Sequence, residues 1–570
     1  MGTSGARKGY KIFSINTTIR NPKRNTDFLI AFKKFDGQLM DDNNLYLYLF
    51  ELVKKGIYQF TNVSESIKNK IESDIELTPQ EVITAIKDNP QATGLSGRVM
   101  TQLRSLKDQG FLIFKKSGKK YYITISKLGN DLIENKIDAS IVYTKALIGM
   151  HSNNPCRTSL LNESIPFLNT IFVISEVNKK WKELGNEPKG ILKHEFATFV
   201  LSMKDCNYLE CANEIIKYRL KYKYTINKEY ILKYLNENDI LPLAFDSIIK
   251  DYPDEVFRKF EMTGLLVQHG KFNYVYYDFS KYNYEKIKTI INAYKDYSFK
   301  TFNSQDEYYN YLSNIDIPWE NNETIRNRIV RTKAEVLNIT LNDTMTLEEK
   351  EIYLDRIFYN QALAKAVAKY DYDLILNELL ILSGSVKGES KFHDIPEPLR
   401  LEYLLALSIG KKYGLKGLIS NIIYNEEGLP LHCAPSSRCD IIYHHIDGSY
   451  ILEPTMQRGR NQQLNNETTN IVRHMQNEKT THGVDYRVMM VAPYIHPDVV
   501  EFFRFKAIND KVNISTLSIE KTIGLISDSE NIKDLNKNYD SIIFDLKTLD
   551  VQQFVDKINS FRLITQEKTK

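Results

Sequence analysis

Apolar and polar positions in the last third of the chain alternate in a way that predicts a β-hairpin followed by a helix. Cys439-Asp440-Ile441-Ile442-Tyr443 reads as one strand and Tyr450-Ile451-Leu452-Glu453-Pro454-Thr455 as its partner, with Asp447-Gly448 between them. Asp-Gly between two β-branched and aromatic runs is a hairpin signal, because a tight turn needs residues that tolerate positive φ. A two-residue loop at Asp447-Gly448 sets Ile442 opposite Glu453 and Asp440 opposite Thr455. Side chains alternate along a strand, so Asp440, Ile442, Glu453 and Thr455 then share one face. Farther on, Leu464, Ile471 and Met475 form an apolar helical stripe. Glu467 and His474, two turns apart, lie ~20° from each other on its shoulder.

The same reading divides the rest of the chain. Residues 28–35 and 45–57 have helical spacing, and 78–134 has the order of a winged helix-turn-helix. Thr78-Pro79 begins a helix with Val82, Ile83 and Ile86 inward, and Asn89-Pro90 stops it. Ser96 can cap a second helix on Val99, Leu103 and Leu106, whose polar stripe of Arg98, Gln102 and Ser105 has side chains able to read base edges. Strands at 111–114 and 121–125 follow, joined by Lys115-Lys116-Ser117-Gly118-Lys119-Lys120, a basic tip suited to phosphate. A winged helix used for protein contacts has the same pattern.

A second module of this order closes near residue 280. Asp254 can cap a helix through Phe257 and Phe260, Thr263-Gly264 ends it, and strands at 265–267 and 272–277 flank Gly270. Residues from about 300 to 385 are mainly helical, with Tyr308 to Tyr311 and Trp319 expected in a small core. The polar run 383–390 is a candidate boundary. Beyond it a helix through Glu402, a strand at 418–424, the hairpin, the Glu467 helix, a strand at 486–491 and a helix after His496 alternate as in a mixed sheet flanked by helices. The expected fold is multidomain α/β (α+β).

Composition narrows this picture. At 570 residues with 42% apolar content, the chain should hold several ordinary cores. It has no apolar run of about 18 residues, and its opening lacks the apolar stretch of a signal peptide and the sixth-position hydroxyl of a myristoylation signal. Five scattered cysteines indicate no disulfide framework. Cys433 and Cys439 near His432, His444 and His445 bring zinc to mind, but the spacings match no common finger or ribbon. A net charge of +4 does not identify a nucleic-acid partner, so the distribution of charge matters more. Arg20, Lys23 and Arg24 in the polar opening can meet phosphates, or stand as an ordinary solvated terminus.

The hairpin carries the candidate chemistry. Two carboxylates converging at its open end favour a hard divalent cation, and such a cation can polarise a phosphoryl oxygen and acidify water. Asp, a hairpin, then Glu-x-Thr has the order of the PD-(D/E)XK nuclease core, with Thr455 where lysine is usual. Glu467 and His474 can orient or activate water in place of that lysine. Among 72 carboxylates, a pair of solvated strand ends and a polar helix edge would look the same.

These residues resemble the catalytic domain of the AlwI family of type IIS restriction endonucleases, which includes nicking enzymes. The resemblance rests on His432, the Asp440 strand, the Glu-x-Thr ending, Glu467 seven residues before Arg473-His474, Val491-Ala492-Pro493, and Glu402 within Arg400-Leu401-Glu402-Tyr403-Leu404. The polar opening at 14–24, the Thr263-Gly264-Leu265 turn and the helical section after 300 are also similar to the family. It implies Mg2+-dependent DNA cleavage, with Asp440 and Glu453 as metal ligands and Glu402, Glu467 and His474 in support.

The expectation is therefore a restriction endonuclease, cytoplasmic in a prokaryote, that cuts or nicks double-stranded DNA outside a short asymmetric site. Its expected parts are an N-terminal recognition domain with a winged helix (1–150), a second winged-helix-like recognition domain (151–298), a helical linker (299–388) and a PD-(D/E)XK endonuclease domain (389–570). Arg20, Lys23, Arg24, Arg98, Gln102, Lys115, Lys116, Lys119 and Lys120 are the candidate DNA contacts. A transient homodimer or second subunit would supply double-strand cleavage, and a methyltransferase is expected by analogy. One rival is a tandem winged-helix regulator without catalysis. Another is a nuclease with a His-metal core, with His444 or His445 as base and Asn461 and His474 assisting.

Overall fold

The structure is a computed structural model that describes residues 8–559 apart from 17, 20, 55–56, 58–63, 65, 68–69, 71–76, 88–94, 135–137, 271–273 and 434–437; the side chains of 54, 87, 95, 96, 461, 465 and 466 also lie outside the description. The chain divides into two compact units, Met1–Gln59 with Asn89–Leu354, and Phe60–Asp88 with Asp355–Lys570.

In the first unit, helices Asn25–Phe32 and Asp42–Lys54 flank a short strand β1 (Gln38–Leu39). The helix Leu95–Asp108 buries Val99, Leu103 and Leu106 as its spacing predicts. It leads into β2 (Leu112–Ser117) and β3 (Lys120–Ile125), and the sheet order is β1-β3-β2. Ser117 pairs with Lys120, so the hairpin closes on Gly118-Lys119 and the strands run farther than the sequence pattern implies. Gly118 has φ +60°, the conformation such a turn requires.

A second sheet in this unit has the order β4-β6-β5, from β4 (Ile191–Leu192), β5 (Leu266–His269) and β6 (Tyr276–Phe279). It packs with the helix Tyr252–Glu261, where Phe257 stacks on Tyr277 with ring centroids 3.6 Å apart. Asp254 does not cap this helix. It lies in its first turn and accepts from Arg258 Nε at 2.9 Å. Part of the expected strand at 272–277 falls outside the described residues. The buried carboxylate of Glu195 accepts from Arg219 Nε at 2.8 Å and Nη2 at 2.6 Å, the paired geometry that lets an ion pair sit in a core. Tyr308, Tyr309 and Trp319 are buried, as aromatics in helical segments should be.

The second unit contains the helix Pro79–Lys87, opened by a reciprocal cap in which Glu81 N–H donates to Thr78 Oγ1 and Thr78 N–H donates to Glu81 Oε2. The stop expected at Asn89-Pro90 lies outside the described residues. Its sheet has the order β13-β12-β11-β10-β7, with β7 (Leu418–Ser420), β10 (Ile441–Tyr443), β11 (Ser449–Pro454), β12 (Tyr486–Ala492) and β13 (Ile514–Ser518). β7, β10 and β11 run antiparallel, while β11, β12 and β13 run parallel. Two short strands, β8 (Ile423–Tyr424) and β9 (Pro430–His432), pair separately. Helices such as Glu397–Tyr413, Ile519–Ser527 and Ile532–Thr548 share one apolar core with the sheet, and all six residues of β11 are buried. That explains why its run from Tyr450 to Leu452 is continuously apolar.

Gly417 fixes the edge of this sheet. Its φ is +85°, and a Cβ there would meet the His444 carbonyl oxygen at 2.0 Å. The close approach lets His444 N–H donate to the Gly417 carbonyl at 2.9 Å. The 383–390 run lies inside this unit, where Lys391 N–H donates to Glu378 and Ser385 donates to Glu520.

Candidate active site

The hairpin register differs from the predicted one by two residues. Ile441 pairs with Leu452, Ile442 with Ile451 and Tyr443 with Tyr450. Continued by one position, this register sets Asp440 opposite Glu453 rather than opposite Thr455. The turn is His445-Ile446-Asp447-Gly448, closed by Gly448 N–H donating to the His445 carbonyl at 3.1 Å. Its central residues are Ile446-Asp447, neither of which has a positive φ, with Gly448 in the last position, where glycine is favoured. A shift of two preserves the face of every side chain, so the two carboxylates still converge.

Neighbouring elements hold them. Asn421 secures the segment before β10, its N–H donating to the Asp440 carbonyl at 3.0 Å and its Nδ2 to the Cys439 carbonyl at 2.6 Å. Glu453 is 7% exposed, and its Oε1 lies 3.1 Å from His474 Nδ1. With the carboxylate ionised, the ring nitrogen is the donor. Thr455 Oγ1 donates to Glu467 Oε1 at 3.0 Å. Glu402, in the helix Glu397–Tyr413, is also buried.

Glu467 does not lie in a regular α-helix. Residues Gln463–Thr468 form a π-helical stretch before the helix Thr469–His482, a distortion frequent at functional sites. Buried Gln463 anchors its start, donating to the carbonyls of Gln457 at 2.8 Å and Tyr494 at 2.7 Å and accepting from His496 N–H at 3.1 Å. It ties the exits of β11 and β12 to the helix that carries Glu467 and His474. Neither Asn421 nor Gln463 carries a signal in the sequence, because each acts through backbone groups distant along the chain.

The electrostatics are those of a crowded anionic site. Burial, then the charges of Glu402, Glu453 and Glu467, push the Asp440 carboxyl well above the usual carboxylate range. Burial raises Glu453 too, opposed by His474. Glu467 is pushed up to about 7 by burial, against the pull of the Thr455 hydroxyl and with a further push from Glu453. Burial and crowding of this kind favour the protonated carboxyls, and a bound cation favours the ionised ones. Beside them, donor atoms of Cys439, Glu453 and His474 lie within 4.8 Å of one another.

The remaining candidate residues have their own surroundings. His444 and His445 sit toward the turn, about 13 Å along the strand from Asp440 at roughly 3.3 Å per residue. They therefore do not join the carboxylates, and the His-metal rival loses its base; the Asn461 side chain lies outside the described residues. Lys115, Lys116, Lys119 and Lys120 are all exposed on the β2–β3 hairpin, with Lys115 3.8 Å from Asp306. Arg98 is exposed and Gln102 half-buried one turn on, whereas Ser105 is fully buried and leaves the polar stripe. Arg24 donates to the Ile57 carbonyl and lies over Phe28, so it is already engaged. Lys23 is half-buried in the turn Pro22–Arg24, and Arg20 lies outside the described residues.

Among the described residues, no helix is long and apolar enough to cross a membrane. No curated protein matches the chain. Among solved structures, the small subunit R.BspD6I2 of the heterodimeric restriction endonuclease R.BspD6I is 18% identical, with a TM-score of 0.27, over 32% of this chain and 97% of that one. The restriction endonuclease FokI is 10% identical, with a TM-score of 0.24, over 93% of this chain and 98% of that one. The family model for the AlwI restriction endonuclease matches residues 107–521, and on that match this chain belongs to the AlwI restriction endonuclease family and is a site-specific deoxyribonuclease.

Proposed function

We propose that this protein is a type IIS-like restriction endonuclease, which recognises a short asymmetric sequence in double-stranded DNA and cuts or nicks at a fixed distance outside it. One observation carries the cleavage site: Asp440, one residue before the paired strand β10, is hydrogen-bonded to Glu453 of β11, with the charges of Glu402 and Glu467 pressing on it. The nuclease core is read as PD-(D/E)XK, from the mixed sheet and the order Asp440, hairpin, Glu453-x-Thr455. Family membership sets the non-catalytic regulator aside.

The donor set fits a hard dication. Several oxygen donors converge, and their mutual repulsion is relieved by positive charge. Asp440 and Glu453 would hold Mg2+, with Glu402 supporting. When bound, Mg2+ supplies charge neutralisation at the phosphate and a more acidic water. His474 positions Glu453 and stabilises its charged form. Glu467, oriented by the Thr455 hydroxyl, accepts a proton from the attacking water, the task of the lysine that Thr455 replaces.

The recognition role falls to residues 1–150 and 151–298, each read as a winged-helix module, and the linking role to 299–388; residues 389–570 cleave. Arg98 and Gln102 are suited to base edges, and Lys115, Lys116, Lys119 and Lys120 to phosphates, with Arg20 and Lys23 as further phosphate contacts and Arg24 set aside by its bond to the Ile57 carbonyl. One such site hydrolyses one strand, so a double-strand cut needs a transient second copy or another subunit. A cognate methyltransferase would protect host DNA. The test is incubation of the protein with supercoiled plasmid and Mg2+, followed by end sequencing. Ends at a fixed offset from one short motif support the reading; binding without cleavage on any sequence overturns it.

A further inference from the structure

A thiol beside the carboxylate pair changes which cations this site can take. Cys439 is 1% exposed, while Glu453 and His474 are each 7% exposed. Their donor atoms lie within 4.8 Å of one another, and His474 Nδ1 is already 3.1 Å from Glu453 Oε1. Zn2+ with bond lengths of about 2.0–2.3 Å holds tetrahedral ligands ~3.3–3.7 Å apart, so small side-chain movements close the set. The chemistry is mixed: a thiol and an imidazole suit zinc, cobalt and cadmium, whereas the oxygen donors of Asp440 and Glu402 suit magnesium.

We propose that Cys439, Glu453 and His474 form a binding site for a thiophilic divalent cation, and that this site shares Glu453 with the magnesium site and so excludes magnesium from it. Three protein ligands leave a fourth position open to solvent water. On binding, the Cys439 thiol loses its proton to solvent and its sulfur bonds the metal, with no change of oxidation state. Burial and the Glu453 charge raise the pKa of this thiol, and the same negative surroundings attract a dication. Occupancy takes Glu453 away from Asp440 and His474 away from its hydrogen bond. Zinc then acts as an inhibitor of magnesium-supported cleavage, a consequence that rests on the proposed nuclease mechanism. The cation site itself does not.

Cobalt reports the site directly, because a thiolate ligand adds a sulfur-to-cobalt charge-transfer band in the near ultraviolet. The full chain is titrated with Co2+ alone, then with Zn2+. The band is expected in the wild type, to be displaced by zinc, to be lost in Cys439→Ser, and to remain in Cys433→Ser, whose parent thiol is exposed. His474→Gln, carried in parallel should Cys439→Ser not fold, is expected to weaken cobalt binding at least about tenfold. No band in the wild type, a band that survives Cys439→Ser, or unchanged affinity in His474→Gln overturns the proposal. In the cleavage arm, zinc should inhibit the wild type in excess Mg2+. A chain with the band that cuts no DNA would sink the nuclease mechanism and leave the cation site standing; zinc without effect on cleavage would remove the shared ligand.

Discussion

His474 Nδ1 lies 3.1 Å from Glu453 Oε1, bringing together a helix and the middle strand of the sheet across 21 residues of sequence. The contact opposes the upward push of burial on the Glu453 carboxyl, beside an Asp440 that burial and the surrounding charges push toward protonation. A site so arranged favours a bound cation.

Asp440→Asn therefore should stabilise the protein when no divalent cation is present. Removing one of several facing carboxylates relieves repulsion, and about 1 kcal/mol of relief raises Tm by about 2–4 °C in a domain of this size. Adding Mg2+ should raise the wild-type Tm and leave the variant unmoved, as measured by differential scanning calorimetry in EDTA and in Mg2+. A variant that melts below the wild type in EDTA would contradict the electrostatic account.

Glu467 gives a pH dependence of defined sign. Its carboxyl is pushed up to about 7 by burial, so the folded chain keeps a proton that the unfolded chain has released. Stability from this group is present below the unfolded pKa of about 4.3 and is lost as pH rises toward 7. In EDTA, Tm should fall over that window, and Glu467→Gln should flatten the fall. Cleavage runs the other way, rising through about pH 7 in the wild type and losing that limb in the variant. Equal melting profiles in the two proteins would refute the assignment.

Gln463→Ala should be costly for one residue. It orphans the carbonyls of Gln457 and Tyr494 and the N–H of His496. The expected loss is about 2–3 kcal/mol in urea unfolding, within the range for buried groups left without partners. A loss below about 0.5 kcal/mol would show that the clamp contributes little.

The lysine hairpin should act through phosphate charge. Replacing Lys115, Lys116, Lys119 and Lys120 by alanine should weaken DNA binding on every sequence. It should also flatten the dependence of log affinity on log salt by about 0.9 for each phosphate no longer neutralised. An unchanged slope by fluorescence anisotropy would exclude them from the interface.

The convergence of Asp440 and Glu453 was legible in the sequence because a strand has a period of two, and an error of two residues in register keeps every face. The turn was not, since Asp447-Gly448 outranks Ile446-Asp447 on residue preference alone. The π-helical stretch under Glu467 leaves no mark in the spacing of Leu464, Ile471 and Met475, although it changes how that carboxylate meets Thr455. Ser105 fits the spacing of an exposed stripe and is buried, because helical spacing gives the width of a stripe only roughly. Asn421, Gln463 and the pairing of Cys439 with Glu453 and His474 depend on contacts between distant segments, which no local pattern encodes.

In the proposed mechanism Asp440 and Glu453 together support metal-dependent hydrolysis. It is tested most directly by single-turnover cleavage of one labelled duplex containing the mapped site, comparing wild type, Asp440→Ala and Glu453→Ala in Mg2+, with DNA binding of each measured without metal. Both variants should bind the duplex about as well as wild type and lose cleavage by at least about a thousandfold, or some 4 kcal/mol of transition-state stabilisation. Near-normal cleavage by either variant would contradict the account and move the chemistry away from this hairpin.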